Sequence, residues 1–317
     1  MGEAREATGV LSPGQGILFP GQGAQFEGMG RDWCEAFAPA RETFEQADEV
    51  LGFALSRACW SGGPAVDRTD VAQPGIFVTS VAIVRVLEQR GLDRSSAALT
   101  AGLSLGEYTA LWCADALDFA DGLRLVRLRG EAMQAASEAT PSGMVSLTGA
   151  DPEQARTLAA LGAEHGICSV ANFNAPGQII VSGEIAALDA LEAAAPEHGL
   201  RRTRRLVVAG GFHSECMRPA ARQLEAALRQ VEIRAPRVPF ISNVTADFTS
   251  EPEAVRRQLA QQVIAPVRWE ACVRRALAAG VARFVEPGPG QVLAGLLRRI
   301  EPSAEVRAAA RPADLDA

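Results

Sequence analysis

The chain has 317 residues, 48% of them hydrophobic and 22% charged, with a formal net charge of −7. That length suits one large domain carrying an insertion, or two domains, and the composition is globular, which excludes disorder for most of the chain. The negative charge argues against nucleic acid as the main partner.

In chain order, residues 1–16 are polar and acidic and read as a loose leader, without the basic and apolar regions of a signal peptide. Ile17-Leu18-Phe19 reads as a buried strand, stopped by Pro20-Gly21-Gln22-Gly23. Helical patterning follows over 33–52 and 72–90, with Gly91 as a C-cap signal. "SSAALTAG" is a strand running into a serine, "GEYTALWCADAL" resumes helical spacing, and a longer helix from Phe119 to Ala136 carries Arg124, Arg127 and Arg129. Residues 140–208 alternate as β-α-β-β-α-β, the order of a ferredoxin-like module. Beyond them come a helix in "MRPAARQLEAALRQV", a strand in "VPFISNVT" and a strand–turn–helix in "ARFVEPGPGQVLAGLLRRI", with 305–317 as a frayed tail.

No run of 18 uninterrupted apolar residues occurs, so no membrane span is expected. The six cysteines are scattered and show no C-x-x-C spacing, which argues against zinc or a disulfide framework and for a reducing, cytoplasmic setting.

Gly102, Ser104 and Gly106 form G-x-S-x-G between a strand and a helix, the setting of a nucleophile elbow. Such a turn exposes the hydroxyl and points the first amides of the helix at an oxyanion. On pattern alone, a loop serine stays open as the alternative. A serine needs a base. His165 and His198 each precede a glycine at a helix end and read as exposed, whereas His213 follows the apolar run "LVVAGGF" and is the candidate by elimination. A neutral core histidine remains the alternative there. No carboxylate is placed to orient its ring: Glu184 and Asp189 read as part of a surface helix.

The segments "FPGQGAQ", "GLSLGEYTAL", "LVRLRGEAMQ", "ANFNAPGQIIVSG", "GGFHSECMRPA", "APVRW" and "EPGPGQVLAGL" together resemble, in order and spacing, malonyl-CoA:acyl carrier protein transacylases and polyketide synthase acyltransferases. The resemblance covers about residues 17–300. It implies an α/β-hydrolase-like large domain (17–139 and 209–304) with a ferredoxin-like subdomain (140–208) inserted. It implies Ser104 as nucleophile, His213 as base and Gln262 as the residue whose backbone carbonyl orients that histidine. The backbone amides of Gln22 and Leu105 would form the oxyanion hole, Arg129 would bind the malonyl carboxylate, and Asn172 would approach the substrate.

Phe212 before the base is the residue type that malonyl-selective members carry. Leu103 departs from the usual histidine before the nucleophile and puts fine selectivity in question. The implied activity moves malonyl from malonyl-CoA to the phosphopantetheine thiol of an acyl carrier protein, in fatty acid or polyketide synthesis, without metal or redox cofactor. A free-standing polyketide acyltransferase with another acyl group or carrier, and an acyl-thioester hydrolase, are the alternatives. Arg201, Arg202, Arg204 and Arg205 in "LRRTRRL", with Arg298 and Arg299, are candidate contacts for an acidic carrier or for CoA phosphates.

Overall fold

A computed structural model describes residues 14–61 and 63–315. β1 (Gly16–Phe19) leads into α1 (Arg31–Ala36), α2 (Ala38–Leu51), α3 (Leu55–Ser61) and α4 (Thr69–Gln89), then β2 (Leu99–Gly102), α5 (Gly106–Cys113) and α6 (Phe119–Ala139). A second group follows: β3 (Ser142–Thr148), α7 (Pro152–Ala163), β4 (Cys168–Ala175), β5 (Gln178–Glu184), α8 (Ile185–Ala194) and β6 (Thr203–Arg205). The chain then returns through α9 (Arg218–Leu228), β7 (Phe240–Ile241), α10 (Pro252–Gln262), α11 (Trp269–Ala278), β8 (Arg283–Pro287), α12 (Val292–Ile300) and β9 (Glu305–Ala309).

The large sheet runs β7-β2-β1-β8-β9 with every pair parallel. A parallel sheet is covered on both faces, and its central strands β1 and β2 are buried at every position. Successive side chains of β1 point to opposite faces: Ile17 and Phe19 join one core with α4, while Leu18 joins the other with Trp269 and Leu297. The small sheet runs β4-β5-β3-β6, all antiparallel. Leu158 of α7 and Leu188 and Leu191 of α8 pack on its Val145, Leu147 and Val181. This is an α/β-hydrolase-like fold with a ferredoxin-like subdomain inserted between α6 and α9.

Several boundaries differ from the sequence expectation. The helix expected over 33–52 is two, broken at the extended Phe37, which N-caps the second helix with Pro39 in its first turn. The helix expected from 72 begins at Thr69 and contains Pro74. Proline has no N–H for the carbonyl four residues back; Arg127 Nη1 donates to that Asp70 oxygen instead, at 2.6 Å. α4 is long and apolar enough to cross a membrane, but 89% of its most apolar window is buried as the core helix of this fold.

The strand expected in "VPFISNVT" shrinks to Phe240–Ile241, which frees Asn243 to bond the serine backbone and Ser242 to bond Glu107. The expected tail is a correction: β9 extends the large sheet beside β8, and Trp33 Nε1 donates to Ala310 O at 3.0 Å. Pairing with an already twisted parallel sheet supplies the hydrogen bonds that a polar terminal stretch does not advertise. Most of the expected leader, residues 1–13, lies outside the described residues.

Candidate active site

Ser104 sits between β2 and α5 at φ 52°, a left-handed backbone that a residue with a Cβ adopts only under constraint. Both of its backbone polar groups are held: its N–H donates to Asn243 Oδ1 at 2.7 Å and its carbonyl accepts from Gln262 Nε2 at 2.8 Å. The flanking glycines are required by close approach. A Cβ on Gly102 would lie 2.0 Å from the Gly106 carbonyl carbon, and one on Gly106 would lie 2.2 Å from Phe19 O.

His213, also at a left-handed φ of 58°, places Nε2 2.8 Å from Ser104 Oγ. Its Nδ1 lies 2.8 Å from the Gln262 carbonyl oxygen. A carbonyl can only accept, so the proton is on Nδ1 and Nε2 is the acceptor for the serine hydroxyl. Burial, reinforced by the Arg129 charge, pushes the ring's pKa down to about 4, which leaves it neutral at physiological pH. His165 and His198 are exposed, as expected of helix ends.

Arg129 comes from the buried face of α6 and is 2% exposed. Its Nη2 donates to Ser104 Oγ and to Gln262 Oε1, both at 2.9 Å, and its Nη1 donates to Gln73 Oε1 at 2.6 Å. The buried Nε–H has no acceptor among the described residues. The guanidinium is thus anchored by neutral amides and has donor capacity to spare, an arrangement suited to a carboxylate arriving at the serine.

Gln262 does more than its backbone carbonyl would suggest. Its Nε2 also donates to Glu107 Oε2, and Glu107 Oε1 accepts from Asn243 N at 2.6 Å. Glu107 is fully buried, and burial raises its carboxyl to about 7 against the lowering effect of those two donors, the Ser242 hydroxyl and the Arg129 charge.

A cleft of about 590 Å³ opens above the serine between the two sheets. Ser104, His213, Gln22, Leu103, Asn172 and Phe212 line it. Among the described residues, nothing accepts from the backbone N–H of Gln22 or Leu105. A separate groove of about 710 Å³ between α7, β4 and α11 contains none of these residues.

The eight residues given catalytic, oxyanion-hole or substrate roles from the sequence all lie in this one region. Gln73, Glu107 and Asn243 were not singled out. Glu107 carried a signal, as a lone acid in the apolar helix "GEYTALWC". Gln73 and Asn243 carried none, since an isolated amide in a helix or loop resembles any other.

Residues 17–310 match the model of the family described as acyl transferase domain. The malonyl CoA-acyl carrier protein transacylase of Bacillus subtilis is 38% identical over 268 residues, covering 84% of each chain. The crystal structure of an acyl-carrier-protein S-malonyltransferase from Bartonella henselae superposes with a TM-score of 0.92 at 38% identity, covering 96% of this chain and 97% of that one. A malonyl-transacylase solved with a type II polyketide synthase acyl-carrier protein gives 0.91 at 36% identity, over 96% and 98% of the two chains. The chain belongs to the malonyl-CoA:acyl carrier protein transacylase family of acyltransferases.

Proposed function

We propose that this protein transfers a malonyl group from malonyl-CoA to the phosphopantetheine thiol of an acyl carrier protein by a ping-pong cycle through Ser104. The observation that carries the residue roles is the convergence of Arg129 Nη2 and His213 Nε2 on one serine oxygen, at 2.9 and 2.8 Å. His213 takes the hydroxyl proton as Oγ attacks the thioester carbonyl, with the amides of Gln22 and Leu105 on the oxyanion. The tetrahedral intermediate expels CoA thiolate, which receives that proton from His213. The malonyl ester then holds its carboxylate on Arg129 until the carrier thiol attacks and the same steps run in reverse. Thioester and ester exchange by substitution alone, so this chemistry calls for neither metal nor redox cofactor. Its six free thiols, five of them buried, support a cytoplasmic setting.

The carboxylate preference favours a transferase of malonyl over a general hydrolase. Both fatty acid and polyketide carriers remain compatible with the cleft. The test is intact-protein mass after brief exposure to malonyl-CoA, with acetyl-CoA and methylmalonyl-CoA in parallel. A single malonyl adduct, absent in Ser104→Ala and discharged onto added carrier protein, is expected. Release of malonate to water without an adduct would overturn the transferase reading in favour of the hydrolase.

A further inference from the structure

Between the nucleophile, the base and the substrate arginine lies a chain of buried side chains whose hydrogen-bond polarity is set at one end. We propose that Glu107 is a positioning residue for the transfer: its carboxylate fixes the orientation of the Gln262 amide, which holds the Arg129 guanidinium at Ser104 and steadies the segment that orients His213. This rests on the malonyl transfer proposed above.

An amide can present either its oxygen or its NH2 to a given neighbour. The NH2 of Gln262 faces two acceptors, the Ser104 carbonyl and Glu107 Oε2, while its oxygen faces the Arg129 Nη2 donor. An ionised carboxylate offers acceptors only. Its other oxygen is committed to the Asn243 N–H, and Asn243 Oδ1 in turn holds the Ser104 N–H. Glu107 therefore grips the elbow from both sides, through Asn243 and through Gln262.

A neutral isostere cannot reproduce this. With glutamine at 107 keeping its oxygen on Asn243 N–H, its NH2 would meet the NH2 of Gln262, donor against donor. Flipping Gln262 to relieve that contact would turn its NH2 on the Arg129 guanidinium, again donor against donor. The arrangement closes only with a carboxylate at 107. Arg129 from α6, Tyr108 on α5 itself and Cys272 from α11 are the titratable groups that face Glu107, and His213 is linked to it through Gln262. Burial pushes the tyrosine and the thiol up and the histidine down, so Arg129 is the one charged at neutral pH. It favours the carboxylate form without completing its ionisation: Glu107 titrates at about 7.

The experiment measures single-turnover acylation by malonyl-CoA and acetyl-CoA across pH 4–9 in wild type, Glu107→Gln, Gln262→Leu and the double variant, with Tm for each. In wild type the carboxylate form is present above about 7 and lost below it, so acylation should rise with pH through that value. The rise attributable to His213 would lie near 4. Glu107→Gln should lower malonyl acylation by about 10- to 100-fold and narrow the malonyl-to-acetyl ratio by about 10-fold, as expected for lost transition-state positioning. It should also abolish the step near 7. Gln262→Leu keeps the backbone carbonyl but cuts the relay; it should remove the same step, and the double variant should be no worse than the poorer single.

If Glu107→Gln does not fold, the Gln262→Leu profile decides the matter. A step that persists near 7 in either variant, additive losses in the double variant, or equal losses on both acyl groups would each overturn the proposal and leave Glu107 as packing for α5. Absence of a malonyl adduct on wild type would instead overturn the transferase reading itself.

Discussion

Arg129 shows how much one residue's role depends on what surrounds it. Its helix neighbours Arg124 and Arg127 are ordinary in comparison: one pairs with Asp121 at the surface, and the other satisfies the carbonyl freed by Pro74. Arg129 alone turns inward, onto Gln73, Gln262 and Ser104. A lysine there would bring the same charge but not a planar fork that can serve three acceptors and an incoming carboxylate. Arg129→Lys should lower malonyl acylation by at least about 100-fold, the scale of a lost charge-assisted contact at a buried site. Acetyl acylation should fall much less. Initial rates of adduct formation with the two thioesters measure that ratio, and an unchanged ratio would remove Arg129 from substrate selection.

At the scale of elements, the elbow exists because two backbones meet without side chains between them. The Leu103 N–H donates to Phe19 O at 3.0 Å, and the Gly106 Cα faces that same carbonyl. Gly106→Ala places a methyl against backbone that cannot rotate away. It should cost about 3 kcal/mol, at the upper end for overpacking, and reduce the yield of acyl adduct in proportion to the displaced serine. Denaturant unfolding and adduct mass would report the two effects.

A second element depends on a buried acid: Glu286 at the end of β8 accepts from Leu293 N and Ala294 N at 2.9 and 2.8 Å and so caps α12. Burial raises its carboxyl from 4.5 to about 7. The folded state therefore holds this proton more tightly than the unfolded chain, and this group's contribution to stability declines as pH rises from about 4.5 to about 7. Glu286→Gln abolishes that titration, so the Tm of the variant relative to wild type should increase between pH 5 and pH 8. A difference that stays flat or falls would contradict this assignment.

Across the whole molecule, the cleft is made by joining two sheets, and the basic run around β6 is the candidate contact for an acidic carrier protein. Arg201, Arg202 and Arg204 are exposed, with Arg204 on the cleft wall, whereas Arg205 is engaged by Asp189 and Glu192 and Arg299 by Gln178 and Pro176 O. Replacing Arg201 and Arg202 by glutamate should raise the apparent KM for an acidic carrier several-fold and change the rate of malonyl loading far less. Equal KM values for the carrier would exclude this edge as its contact. The chain end also matters at this scale. Deleting residues beyond Glu301 removes β9 and leaves Trp33 Nε1 without its acceptor, so Tm should fall by several degrees.

The sequence by itself picked out Ser104, His213 and the ferredoxin-like insertion as candidates, because each is written locally, in a glycine-flanked turn, an apolar run or an alternation of elements. Which arginine of α6 turns inward also needed the family's register, since helical spacing alone offered three. What only the tertiary structure decided was everything that depends on long-range partners. Asn243, 139 residues from Ser104, holds its backbone, and Glu107 accepts from Gln262, 155 residues away. β9 became a strand because β8 offered an open parallel edge. Hydrogen-bond polarity of this kind is a property of neighbours in space, and a linear pattern records only neighbours in sequence.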